Sequence, residues 1–152
     1  MPHPVPDVQI LTRLTVGALL GLLVGYEREW RGRPAGLHTC GLVATGAAAF
    51  AAIAPALGSG TGDRVIANIV TGVGFLAGGV ILREGMNVSG LNTAATIWAT
   101  AAVGAFAGVG LFREAAAVAV AILAINILMD PLSAALNARI ERAKARRSNQ
   151  TS

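Results

Sequence analysis

Gly25-Tyr26-Glu27-Arg28-Glu29-Trp30-Arg31-Gly32-Arg33-Pro34-Ala35-Gly36-Leu37 is a charged stretch set between two apolar runs. Leu14 to Val24, before it, carries no charge, and Leu37 to Gly62, after it, has no Asp, Glu, Lys or Arg. A water-soluble domain has no reason to sort its charges into one short break. A polytopic membrane protein does, because a charge left in hydrocarbon is costly. Composition agrees: 54% of the 152 residues are hydrophobic and 13% are charged, against about 25% charged in an ordinary soluble domain. The mean hydropathy is +0.62.

A membrane-spanning helix needs about 20 mostly apolar residues. Five segments have that character: Ile10–Tyr26, Leu37–Leu57, Val65–Leu82, Leu91–Phe112 and Ala115–Leu132. The fifth holds Asn126 and Asp130 in its distal half, so a helix lying in the interface is its alternative. The breaks at residues 58–63, 83–90 and 112–114 carry turn chemistry. The expected fold is an all-α polytopic helix bundle of about five spans. Residues 1–132 form its transmembrane domain and 133–152 a basic tail. Arg28, Arg31, Arg33, Arg83 and the tail cations fall on one side; Arg13, Arg64 and Arg113 fall on the other. The positive-inside rule puts the first side in the cytoplasm, with the N-terminus outside. The N-terminus lacks a basic n-region, so the first run reads as a retained span rather than a cleaved signal. Asp130 and Pro131 read as the cap and first position of a tail helix. The tail's plain role is to orient the chain and meet anionic lipid; nucleic acid is not an expected partner.

Glycines recur every four residues at Gly17, Gly21 and Gly25, at Gly74 and Gly78, and at Gly104 and Gly108. On a helix that spacing cuts a groove in which another helix can approach backbone to backbone. The abundance of Gly and Ala offers a blander reading for the shorter repeats. For the first span the expectation is tight packing against another helix.

Enzyme chemistry finds little support. Gly72-Val73-Gly74-Phe75-Leu76-Ala77 has the glycines of a dinucleotide site but lies inside an apolar run, with no acid near Asn92. His38 and Cys40 are two apart, and the only other histidine is His3, so no metal site is expected. Cys40, the sole cysteine, leaves the redox compartment open. No cofactor is expected. Asn92-Thr93 opens the fourth span, where capping is the default role. The sharper expectation is that this helix N-terminus faces Glu27, Glu29 or Glu84. Those carboxylates could instead hold magnesium, but salt bridges to Arg28, Arg31, Arg33 and Arg83 are the favoured reading.

Taken together, three ordered blocks resemble the MgtC/SapB family: Gly25 to Thr39, Gly72 to Leu82, and Gly90-Leu91-Asn92-Thr93-Ala94-Ala95-Thr96-Ile97-Trp98. The likeness runs from about Leu14 to about Leu128. The family loop usually continues Arg-Thr-His where this chain has His38-Thr39-Cys40, and often has Thr at Asn92. The resemblance implies a bacterial inner-membrane protein, here a short form without the family's soluble C-terminal domain. It implies a link to magnesium limitation and survival within host cells, through a membrane-protein partner such as ATP synthase. The first expectation is therefore a non-enzymatic regulator whose surface comprises Glu27, Arg28, Glu29, Arg31, Arg83, Asn92 and Thr93. The rival is a small ion or solute transporter, for which Asn68 and Asn126 are the few polar candidates within spans. The lipid bilayer is a partner in either case, and a homo-oligomer is an open alternative.

Overall fold

The computed structural model describes residues 7–58, 60–84 and 87–148; the side chains of Glu84, Asn87, Asp130, Ala134, Ala135 and Asn137, and those beyond Ile140 other than Arg142, lie outside what is described. Five α-helices follow one another: α1 (Asp7–Trp30), α2 (Leu37–Ile53, extended by a 3-10 turn, Ala54–Leu57), α3 (Thr61–Gly78), α4 (Leu91–Gly108) and α5 (Phe112–Ser148). Among the described residues three stretches are long and apolar enough to cross a membrane: Asp7–Trp30, Leu37–Leu57 and Phe112–Ile140. Asp63, Arg64 and Asn68 in α3, and Asn92, Thr93, Thr96 and Thr100 in α4, lower the apolarity of the other two helices. The chain divides into two compact units, Met1–Ile122 and Leu123–Ser152.

Within the first unit α2 is central. It packs on both α1 and α4, which also pack on each other, while α3 lies against α4 and more lightly against α2. The interior is built from small side chains: Ala44, Ala48, Ala51 and Ala52 are fully buried, with Ala47 and Ala101 nearly so. Ile97, Val24 and Val103 are the largest fully buried apolar groups. The large residues face outward, Phe75 at 88% and Leu42 at 71% exposure, with Leu19, Phe50 and Val120 similarly placed. Burial of Ala with exposure of Leu and Phe inverts the order found in water-soluble proteins. It is the arrangement of helices held by close backbone approach with lipid outside.

The glycine positions show how close that approach is. A Cβ on Gly21 would lie 2.7 Å from the Cys40 carbonyl oxygen, and one on Gly17 2.9 Å from the Ala48 Cβ, both on α2. Gly25 is pressed just as closely against Gly36 and Leu37. Gly104 and Gly108 of α4 face the Ala44 and Ala48 carbonyls from the other side. Gly74 and Gly78 differ: a Cβ on either would meet nothing within 4 Å. The four-residue spacing in α3 therefore marks no contact among the described residues.

Three further points depart from the sequence expectations. The third apolar segment does not run as a helix to Leu82. It ends at Gly78, and β1 (Leu82–Glu84) pairs antiparallel with β2 (Asn87–Ser89) in the register Leu82↔Ser89, Arg83↔Val88. Gly85 and Met86 lie outside the described residues. The fourth segment stops at Gly108, and Gly110, at φ 88, turns the chain before α5 starts at Phe112. Finally, no new helix starts at Asp130-Pro131. Pro131 lies inside α5, and the lost hydrogen bond is a cost that membrane helices tolerate.

Candidate functional site

The hinge is built by the way α1 ends. The Arg33 amide donates to the Arg28 carbonyl at 2.8 Å, and the Gly32 amide to the Glu29 carbonyl at 3.0 Å. These are the paired bonds of a Schellman termination, with Gly32 in the left-handed conformation (φ 63) that the motif requires. Pro34 follows and prevents the helix from resuming. Ala35 also takes a positive φ of 60, and its carbonyl accepts from the Cys40 thiol at 3.2 Å.

Each hinge charge has a separate place. Glu29 reaches across the turn, and its Oε2 accepts from the Leu37 amide at 3.0 Å. It thereby does the capping that Gly36, at the N-cap of α2, cannot do, and puts negative charge at the positive end of that helix. Glu27 pairs with Arg31 one turn on, at 3.3 Å. Tyr26 and Trp30 lie with ring centres 6.0 Å apart, tilted by 41°, on the exposed side of α1, the position amphipathic rings take at a membrane interface.

Arg28 is the exception, a guanidinium only 2% exposed. Nε and Nη2 donate to the Pro34 carbonyl at 3.1 and 2.7 Å. Nη2 also donates to Thr93 Oγ1 at 2.9 Å, and Nη1 approaches Thr96 Oγ1 at 3.5 Å. Thr96 in turn donates to the Asn92 carbonyl at 2.9 Å, and Thr100 to the Thr96 carbonyl at 2.8 Å. Because the Thr96 proton is directed along its own helix, the hydroxyl oxygen presents lone pairs to the guanidinium. One side chain thus ties α1, the hinge and the first turns of α4 together.

The expectation put Glu27, Glu29 or Glu84 at the start of α4: Glu27 pairs with Arg31 and Glu29 caps α2, and the Glu84 side chain lies outside the described residues. A cation sits at the α4 start, opposite in sign to what the helix dipole favours, and the threonine hydroxyls accept it. Nor do Asn92 or Thr93 cap the helix. The N-cap is Gly90, left-handed at φ 86, with no side-chain cap. Asn92 is exposed on the first turn. Arg83 is exposed on β1 opposite Val88. Between hinge, strand pair and α4 lies a cleft of about 490 Å³ bordered by Arg33, Ser89, Asn92 and Thr93. Among the described residues no three His, Cys, Asp or Glu side chains come together as a metal site would need.

Thr96, expected as a polar residue of the fourth span to bond between helices, meets Arg28 of α1; with Thr93 and Thr100 it forms a series whose spacings of three and four place all of them on one helix face. One participant escaped the sequence reading. Arg13, noted only for its charge, donates from Nη1 to the Gly108 carbonyl at 3.1 Å. It places positive charge at the C-terminal end of α4, where the dipole favours it.

Comparison with known proteins sets this arrangement in context. The model of the MgtC family matches residues 14–135. Protein MgtC of Salmonella typhimurium is 48% identical over 127 residues, 84% of this chain and 55% of its own length. Protein MgtC of Brucella abortus is 52% identical over 115 residues, 75% of this chain and 48% of its own. An uncharacterized protein of Synechocystis is 52% identical over 128 residues, 84% of this chain and 55% of its own. The chain spans about half the length of the curated relatives it matches. No solved structure matches it.

Proposed function

This chain is a member of the MgtC family, and from that premise we propose that it is a non-enzymatic inner-membrane protein that regulates a membrane partner during magnesium limitation. All five helices cross the bilayer, with the N-terminus outside and the hinge and C-terminus in the cytoplasm. The 18 residues of α3 and of α4 give about 27 Å of rise, close to the hydrocarbon thickness of about 30 Å. The partner meets Glu27, Glu29, Arg31, Arg83 and Asn92 at the cytoplasmic end of the bundle.

The observation that carries this reading is the placement of Arg28. Its buried guanidinium bonds to Pro34, Thr93 and Thr96, so the loop is fixed to two helices. A fixed, charged surface at a membrane interface suits recognition by another protein. The rival, transport of an ion or solute, requires polar side chains along a path. The groove of about 610 Å³ between α2 and α3 offers Asn68 as the one amide among its lining residues, the rest being apolar or glycine.

The test is reconstitution of the purified protein into sealed vesicles, beside affinity purification from cells grown in low magnesium. Regulation predicts no magnesium or proton flux above empty vesicles and recovery of a membrane complex such as ATP synthase. Flux that scales with protein density, with no complex recovered, would replace this reading with transport.

A further inference from the structure

The distal part of α5 carries an exposed apolar face. Helix α5 continues through Pro131 to Ser148. The 20 residues from Phe112 to Pro131 give about 30 Å of rise, the thickness of the hydrocarbon layer. Pro131 therefore falls where a spanning helix leaves the bilayer core. It also removes the amide that would bond to the Ile127 carbonyl, so the helix bends there more readily than elsewhere.

The segment beyond Pro131 is amphipathic. Leu132, Leu136 and Ile140 are spaced by four and are 53%, 55% and 46% exposed. At 100° per residue they share a sector of about 80°. Arg139 and Arg142 are exposed beside that sector, at about 20° and 80° from Leu132 on the side away from Ile140. Glu141, the only acid after residue 132, holds the position diametrically opposite Leu132. From residue 133 on, the sequence has five cations, Arg139, Arg142, Lys144, Arg146 and Arg147, against that one acid. Five cations cannot enter hydrocarbon, and three large aliphatic side chains in line gain nothing from water.

We propose that Leu132–Ser148 is an anchor that lies along an anionic lipid surface. Leu132, Leu136 and Ile140 enter the acyl boundary, and Arg139 and Arg142 bond to lipid phosphates. Two observations select lipid over a protein partner: charge complementarity, and direct continuity with a span that already ends at the surface. Cations flanking an apolar stripe are the pattern of interfacial helices. In the cell this rests on the topology proposed above, with the tail on the anionic cytoplasmic leaflet.

The test uses the full chain in nanodiscs, whose two leaflets share one composition, so a wrong assignment of sidedness leaves the result unchanged. Spin labels are placed by Leu136→Cys, Ile140→Cys and Ala138→Cys, each in a Cys40→Ala background. With phosphatidylglycerol present, labels at 136 and 140 should be accessible to oxygen and shielded from a water-soluble nickel complex, and the label at 138 the reverse. Each of Arg139→Gln and Arg142→Gln should weaken this lipid contact about fivefold, and high salt should weaken it further. Two outcomes overturn the proposal. One is equal nickel access at all three sites in anionic lipid. The other is dipolar broadening between labels at 136 or 140, which would make the face an interface between two copies.

Discussion

Replacing Arg28 tests the hinge most directly. Met fills a similar length without charge or donors. The substitution leaves the Pro34 carbonyl and Thr93 Oγ1 without the donations they receive at 2.7 and 2.9 Å. The contact to Thr96, at 3.5 Å, is at the limit of a hydrogen bond and contributes little. A buried acceptor left unsatisfied costs about 1–3 kcal/mol. Thr93 Oγ1 is such an acceptor, whereas Pro34 is an exposed residue whose carbonyl water can reach, so the two losses, less what Met regains by packing, give about 2 kcal/mol, or roughly thirtyfold in the folding equilibrium. Thr93→Val alone should cost about 1.5 kcal/mol, the low end for a hydrogen bond to a charged group. In Arg28→Met the Thr93 bond is already gone, so adding Thr93→Val should cost much less than it does alone, a coupling of about 1 kcal/mol. Arg28→Lys keeps the charge but not the fork, and should fall between wild type and Arg28→Met. The assay is reversible unfolding in mixed micelles against the mole fraction of SDS, followed by circular dichroism. If Arg28→Met stays within about 0.5 kcal/mol of wild type, or the double mutant is additive, the guanidinium does not hold these helices and the argument from its burial fails.

Other substitutions check the remaining contacts in the same micelle assay. Gly21→Ala drives a Cβ toward the Cys40 carbonyl and should destabilise by about 1–3 kcal/mol, whereas Gly74→Ala meets open space and should be neutral or slightly stabilising. Glu29→Ala frees the Leu37 amide and should cost about 1 kcal/mol; Glu29→Gln should recover part of that. Arg13→Met should cost about 1 kcal/mol for one bond to Gly108 and be additive with Arg28→Met, since the two sites share no partner. In cells, Glu27→Ala and Arg31→Ala should abolish growth in low magnesium with the protein's membrane level unchanged on immunoblots, and full growth of both variants would discard the hinge as the functional surface.

The sequence makes legible those features that depend on neighbours in the chain. Charges gathered between apolar runs mark the hinge, because lipid enforces that sorting locally. Gly32 before Arg33-Pro34 marks the end of α1, because a left-handed residue is required there. Features that depend on distant neighbours are not legible. The same glycine spacing occurs in α1 and α3, yet only Gly17, Gly21 and Gly25 lie against another helix, and which face is covered is decided by α2. The two strands, three residues each, are too short for an alternating pattern to show. Asp130-Pro131 carries a start signal, yet the helix runs through it unbroken. The partner of the α4 N-terminus lies 65 residues away along the chain. A rule of sign alone selects a carboxylate for it, whereas the hydroxyls of Thr93 and Thr96 make room for a cation.

The two arginines of α1 acquire a shared meaning once their partners are known. Arg13 and Arg28 are 15 residues apart, and so are Thr93 and Gly108, to which they bond. On two antiparallel helices each interval is about 22 Å. The pair therefore fixes the register of α1 against α4 at both ends, while Gly17, Gly21 and Gly25 allow the close approach to α2 between them. In the proposed topology that interval places both guanidiniums toward the boundaries of a hydrocarbon layer of about 30 Å, where a long side chain can keep its charge at modest cost. A conducting pore would need such groups near the midplane. Their location at the two ends, each bonded to helix or loop, is what a structural frame requires.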